Sequence, residues 1–370
     1  MTSTGPLNED DRYRTSTQYR LWSFTPQSLH TFRTTTNQLA AERVREAVRR
    51  AREARSADDA SGTDSRSASA VPEGEVDCLT VEEELKLIAF YCRQTLQLGD
   101  HLKVPTEVKA TAIQYIKRFY ITNSVMTYYP PDILKTALFF ATKTENHYFR
   151  LTKFAEAMSK TKPEDILASE FLLTQGLRFT FDVRHPFRAL EGAVMEMNAM
   201  ASGEIDGPAL KGMGRKVMMA HGKAREYLKT SALLTDVYFH YTPSQIMIAS
   251  LMIADRELIQ LYISTKIPSD HPSSPDLQAK ILETLEQCAE MLKTVEPSAD
   301  PAPAEKKEIS ALGKKLKKCR NPDMIDLVGL QRAKREGEEG LDEKVVKKRK
   351  LEREQSAKEG EDLFGPSLKK

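Results

Sequence analysis

The residue types that carry chemistry are present in this chain but scattered. Four cysteines (Cys78, Cys92, Cys288 and Cys319) and seven histidines are the candidates for metal ligation or nucleophilic catalysis. A structural zinc site needs ligands in close pairs, such as two cysteines separated by two to four residues. No such pair occurs, and no histidine stands at zinc-ligand spacing from a cysteine. The phosphate-cradling G-x-x-x-x-G-K-[ST], the nucleophile elbow G-x-S-x-G and the zinc helix H-E-x-x-H are all missing. The thiols therefore read as reduced core or surface groups, and no catalytic residue, metal or cofactor is expected. What remains is the chemistry of binding. Lys143 closes one apolar run and Glu170 lies within another. Read alone, the first is a solvated cation favoured near a helix C-terminus and the second a surface carboxylate. Phe140, Phe179 and Phe181 surround them in sequence and are candidate aromatic anchors of an interface. Core packing is the alternative for each, and exposure is expected for Phe179 and Phe181, in RFTFD just past a helix end.

These residues need elements to hold them. At 370 residues, 40% hydrophobic and 29% charged, the chain has room for two domains and solvated tails. Its net charge of +2 gives no argument for wholesale nucleic-acid binding. The polar, acidic start MTSTGPLNEDDRYR is unlike a secretory signal. The best apolar stretch, from Ile246 to Ala254, is about half of what a bilayer requires.

Four zones follow. Residues 1–78 hold a helix that opens at Pro26 and runs to about Arg55 with a basic far end. A Ser-, Ala-, Asp- and Gly-rich linker over residues 56–74 is too polar to bury a core. Residues 79–182 carry five dense helical patterns, the first opened by Thr80 with Glu83 as a capping box. The fifth runs from Pro163 to Gly176 and contains Glu170. Residues 183–296 are again helical. Residues 297–370 begin with a solvated break, allow one more helix over about 306–319, and end in charged low complexity.

Two segments repeat one another. YYPPDILKTALFFATKTE, from Tyr128, and HYTPSQIMIASLMIADRE, from His240, share a tyrosine two residues before a helix-opening proline, at an offset of 112 residues. Ala137 matches Ala249. This period is far longer than the 20–50 residues of a solenoid repeat and indicates duplicated domains. ILKTALFFA, apolar on nearly all sides, reads as a buried central helix. Its Ala137 and Ala141, with Ala110 and Ala112 on the preceding helix, permit close helix approach.

The run KATAIQYIKRFYITNSVMTYYPPDILKTALFFATKTEN resembles the middle of a first cyclin box, and its KRFY-x-x-NSVM-x-Y-x-P string is similar to that of the cyclin H type. LASEFLLTQGLRFTFDVRHPFRALEG carries a second, longer pattern of the same family. LTDVYFHYTPSQI is similar to its second box, and QYRLWSFTPQSLHTFRTTTN to the tryptophan-bearing segment before the box. The likeness covers about Tyr19 to Leu316 apart from the linker. It implies an all-α fold of two tandem five-helix cyclin repeats with extra N- and C-terminal helices. It implies a non-catalytic regulatory subunit that activates the cyclin-dependent kinase of TFIIH (the CDK-activating kinase), with a RING-finger assembly factor as third subunit. The expected setting is RNA polymerase II transcription and the cell cycle, in the nucleus, with no direct nucleic-acid or membrane contact. Lys143 and Glu170 match the pair with which cyclins hold the kinase's N-lobe helix, so Lys143, Glu170, Phe140, Phe179 and Phe181 become the expected kinase-binding residues. Two departures stand out: KLIAFYCRQTL lacks the substrate-docking M-R-A-I-L of cell-cycle cyclins, and no destruction box is evident. The cluster Lys344, Lys347, Lys348, Arg349 and Lys350 is a candidate nuclear-localisation patch. The competing reading is a TFIIB-type factor, also with two cyclin-like repeats but binding promoter DNA; its N-terminal zinc ribbon with paired cysteines is absent from this sequence.

Overall fold

The computed structural model describes residues 9–61, 76–158, 161–207, 210–267, 274–297 and 302–320, and these form seventeen helices and no strand. An N-terminal arm comprises α1 (Glu9–Arg14), α2 (Thr17–Trp22) and α3 (Pro26–Ser61). The first repeat comprises α4 (Val81–His101), α5 (Thr106–Thr122), α6 (Pro130–Thr144), α7 (Leu151–Glu156), α8 (Pro163–Leu167) and α9 (Glu170–Gly176). The second comprises α10 (Phe187–Ser202), α11 (Gly214–Lys229), the short turns α12 (Ser231–Leu234) and α13 (Val237–His240), then α14 (Pro243–Ala254), α15 (Arg256–Lys266) and α16 (Ser274–Lys293). A last helix, α17 (Pro303–Lys318), packs back on α4. With α8 and α9 as one broken unit, each repeat has five helices. Helix α3 continues to Ser61, past the expected end near Arg55. Residues 62–74 of the proposed linker, and the whole Lys344–Lys350 cluster, lie outside the described residues.

Local chemistry explains the boundaries. Thr80 and Glu83 form the expected capping box: the Thr80 amide donates to Glu83 at 2.9 Å, and the Glu83 amide to the Thr80 hydroxyl at 3.3 Å. Thr242 and Gln245 cap α14 in the same way. Both matched helices are buried, and Ala137 and Ala249 are fully inaccessible. The sequence points to α6 as the central helix, yet α5 is enclosed more completely. Every residue from Ala110 to Ile121 is buried, including Lys117 and Arg118, which are 6% and 2% exposed.

Buried charges require partners, and these two adjacent cations reach in different directions. The Lys117 ammonium donates to the carbonyls of Thr235 and Leu233 and lies 3.5 Å from the Asp236 carboxylate. Arg33 of α3 grips that carboxylate with both terminal nitrogens, at 2.7 and 2.9 Å. One carboxylate thus joins the arm, the first repeat and the second. Arg118 turns the other way. It donates to the Asp182 carbonyl at 3.3 Å and to Gln18 at 3.5 Å, and it lies 5.2 Å above the Trp22 ring. Gln18 also accepts from the Arg184 amide at 2.6 Å. The arm is therefore a wedge against the junction, and both repeats fold into one compact unit.

Burial would raise the Asp236 carboxyl, but the Lys117 ammonium and the Arg33 guanidinium outweigh it and hold the group well below the usual carboxylate range. Asp236→Ala should lower unfolding free energy by roughly 3 kcal/mol in urea denaturation, because the Lys117 ammonium stays buried without its counter-charge. Glu84 behaves oppositely. Burial pushes its carboxyl up to about 7, against the lowering effect of hydrogen bonds from Ser124 and Asn37. Its folded pKa lies above its unfolded value, so the folded state retains a proton that the unfolded state has released. Stability should therefore fall as pH rises from about 4.5 through 7, by about 3 kcal/mol in all. Glu84→Gln should remove most of that slope in thermal melts taken across this range.

Candidate functional site

Lys143 lies in the last turn of α6, and Glu170 opens α9. The break between α8 and α9 creates that position. The expected fifth helix is continuous from Pro163 to Gly176, whereas the structure interrupts it at Ala168 and Ser169. In a continuous helix the Glu170 amide would donate to the Ile166 carbonyl. Buried Thr136 of α6 takes that carbonyl instead, its hydroxyl donating at 2.6 Å, and a side chain inserted into the ladder kinks a helix. Glu170 thus stands at a helix N-terminus and Lys143 near a C-terminus, each charge favoured by its own helix dipole. They meet with the ammonium 2.7 and 2.8 Å from the two carboxylate oxygens. The ammonium also lies 4.9 Å from the centre of the Phe139 ring, a cation–π contact. Both side chains remain partly solvated, and a lysine held by two of its donors keeps a third for an external acceptor.

The aromatic candidates divide. Phe179 is 63% exposed, as expected. Phe181 is half-buried and meets Phe140 edge to face at 5.0 Å, while Phe140 is only 8% exposed. Phe140 therefore backs the surface through Phe181 instead of facing solvent. Arg178 and Phe179 both have positive φ, +52° and +54°, a left-handed pair that bulky residues adopt only when their surroundings hold them. The holding group is Trp22. Its indole donates to the Thr180 hydroxyl at 2.9 Å, and its ring lies 5.5 Å from the Arg178 guanidinium. Tyr115 fixes the next residue, donating to the Phe181 carbonyl at 2.6 Å.

Sequence reasoning passed over Phe171 (69% exposed beside Glu170), Tyr148 (89% exposed) and the brace by Trp22. The phenylalanine gave one signal: it follows a charged residue directly in a segment whose other apolar side chains turn inward. All four cysteines are buried and none forms a disulfide, and burial pushes the Cys92 and Cys288 thiols up to about 12. Such thiols are unreactive at neutral pH. Among the described residues there is no group of three potential metal ligands, and no helix long and apolar enough to cross a membrane.

Known proteins match this architecture. Residues 86–182 match the family model for the cyclin N-terminal domain, and residues 185–293 the model for the cyclin C-terminal domain. Cyclin mcs2 of Schizosaccharomyces pombe is 33% identical over 84% of this chain and 86% of its own length. The chain belongs to the cyclin family. It resembles cyclins of the cyclin H type. Cyclin CCL1 of Saccharomyces cerevisiae is 36% identical over 71% of this chain, which spans only 63% of that relative. Among solved structures, a chain of the CAK complex from Chaetomium thermophilum bound to ATP-γ-S superposes with a TM-score of 0.73 at 41% identity, covering 91% of this cyclin and 98% of that chain. A chain of the yeast TFIIK (Kin28/Ccl1/Tfb3) complex gives 0.54 at 31% identity, covering 76% of this cyclin and all of that chain. These relatives do not favour the TFIIB-type reading.

The surface depends on close approach of α9 to α5. A Cβ on Gly176 would stand 2.5 Å from the ring of Phe119, which is fully buried and cannot retreat. Gly176→Ala gains up to about 1 kcal/mol in helix propensity but overpacks the core at a cost of about 1–3 kcal/mol. The melting temperature should fall.

Proposed function

We propose that this cyclin binds and activates the cyclin-dependent kinase of TFIIH, and that the contact is the first-repeat surface around Lys143 and Glu170. The observation that carries the reading is the ion pair between the ends of α6 and α9, flanked by exposed Phe171 and Phe179. Glu170 positions the ammonium, and its remaining donor suits the orphan carbonyls at the C-terminus of a partner helix. Phe179 supplies an aromatic anchor, with Phe181 and Phe140 behind it. A cyclin does no chemistry of its own. It binds the active arrangement of its kinase more tightly and shifts the population towards it, so that the kinase's strand lysine pairs with its helix glutamate.

On this reading the chain is a non-catalytic subunit of the CDK-activating kinase, acting in the nucleus on RNA polymerase II C-terminal domain phosphorylation and transcription initiation. Its second partner is the RING-finger assembly factor of the same module, in keeping with the three-protein composition of yeast TFIIK. It touches neither nucleic acid nor membrane directly. The second repeat lacks the kinase-gripping charge, because Asp255 stands where Lys143 would and caps α15 by accepting from the Leu258 amide at 3.0 Å.

Mixing the purified chain with a TFIIH-type kinase tests the assignment. Lys143→Ala and Glu170→Ala should each reduce kinase activation by tenfold or more. Melting temperature should barely change, since a solvated pair contributes at most about 1 kcal/mol to folding. Full activation by both variants would remove this surface from consideration.

A further inference from the structure

Beyond the end of α6, a cleft of about 1200 Å³ opens between the two repeats. It lies among the first turns of α5, α10 and α14 and the end of α11, with α1 at its rim. Five cations line it: Arg12, Arg184, Arg188, Arg225 and Lys229. They come from the arm, the inter-repeat linker and two helices of the second repeat, so the tertiary fold alone assembles them. Arg184 is paired with Asp182 at 2.9 Å, and Arg225 only loosely with Glu191 at 3.9 Å. Arg12, Arg188 and Lys229 have no ion-pair partner among the described residues.

Three carboxylates share the lining, but two are engaged. Glu191 accepts from His221 at 3.2 Å, and Glu145 from the Thr111 hydroxyl at 2.6 Å. The backbone adds to the positive balance. Helices α5 and α10 follow Pro105 and Pro186, and neither has a side-chain cap, so their first-turn amides are donors without a side-chain acceptor. His185 contributes no charge at neutral pH, because burial, aided by Arg118, holds it down at about 3.

We propose that this inter-repeat cleft is a docking site for an acidic peptide segment of a partner protein. Three features favour a peptide. The volume exceeds the roughly 300–1000 Å³ typical of small-molecule sites. Val183, Phe187 and Leu190 give the cleft apolar wall that suits side chains spaced between acidic ones. Glu107, without a partner among the described residues, would repel a continuous run of phosphodiesters but can accept a peptide N–H. The cleft borders the kinase-binding surface through Glu145 and Val183, but its test reads peptide binding to the chain alone, so failure of the kinase assignment leaves this one standing.

Fluorescence anisotropy on the full chain tests this with a labelled nine-residue peptide of alternating glutamate and leucine. Its lysine–leucine counterpart and single-stranded DNA of nine nucleotides are the comparisons. The acidic peptide should bind at least tenfold more tightly than either, and added salt should weaken it. Arg188→Glu combined with Lys229→Glu should reduce that affinity at least tenfold, whereas Lys153→Glu on α7 should change it less than twofold. If the double reversal melts at lower temperature than the native chain, Arg188→Gln with Lys229→Gln takes its place, with a threefold or larger loss expected. Equal affinity for the acidic and basic peptides, or no effect of the cleft variants, would overturn the proposal. Tighter binding of the DNA, lost in the same variants, would assign the cleft to nucleic acid and equally overturn it.

Discussion

A single carboxylate, Asp236, makes a kinked string of helices into one body. Lys117 approaches it from the first repeat and Arg33 from the arm, while Asp236 itself opens a short helix of the second repeat. Two cations on one acid are tolerable only because the Lys117 ammonium also donates to two backbone carbonyls, so none of the three groups is left without a counterpart. Buried polar clusters of this kind are costly when incomplete. That asymmetry favours the arrangement of arm and repeats in which all three meet.

The surface around Lys143 depends on that body at one remove. Arg118, the neighbour of Lys117, lies over Trp22, and Trp22 in turn holds Thr180 in the turn that exposes Phe179. The same arm that locks the repeats together therefore braces the aromatic edge of the site. The other edge is set by Thr136, whose hydroxyl breaks a helix and places Glu170 at the start of the next. Both edges are set by contacts within the folded chain, so a partner docking on the proposed surface would meet it already formed.

Much of this was legible in the chain as text. The duplicated Tyr-x-Pro segments, the capping box at Thr80 and the all-helical periodicity anticipated two related helical domains, and the family-specific strings singled out Lys143 and Glu170. Other features were hidden for physical reasons. Helix α5 looks amphipathic because it carries Lys117, Arg118 and Gln114, and those charges disguise complete burial; only their long-range partners reveal it. The fifth helix of the first repeat looks continuous because its interruption comes from a threonine on a different helix. Phe140 and Phe179 look alike in sequence, yet one is core and the other surface.

The sequence by itself determined the kind of structure: helices, their caps, the duplication and the buried small residues. Each of these rests on interactions within a few residues or on a pattern repeated along the chain. Tertiary structure decided which charges are buried, where the broken helix turns, and which cations converge on the cleft between the repeats. Those outcomes link residues far apart in the chain, as Arg33 and Asp236 are at 203 positions, and no local pattern encodes such a meeting. Their energies arise from desolvation and pairing, which exist only once the two partners share a low-dielectric interior.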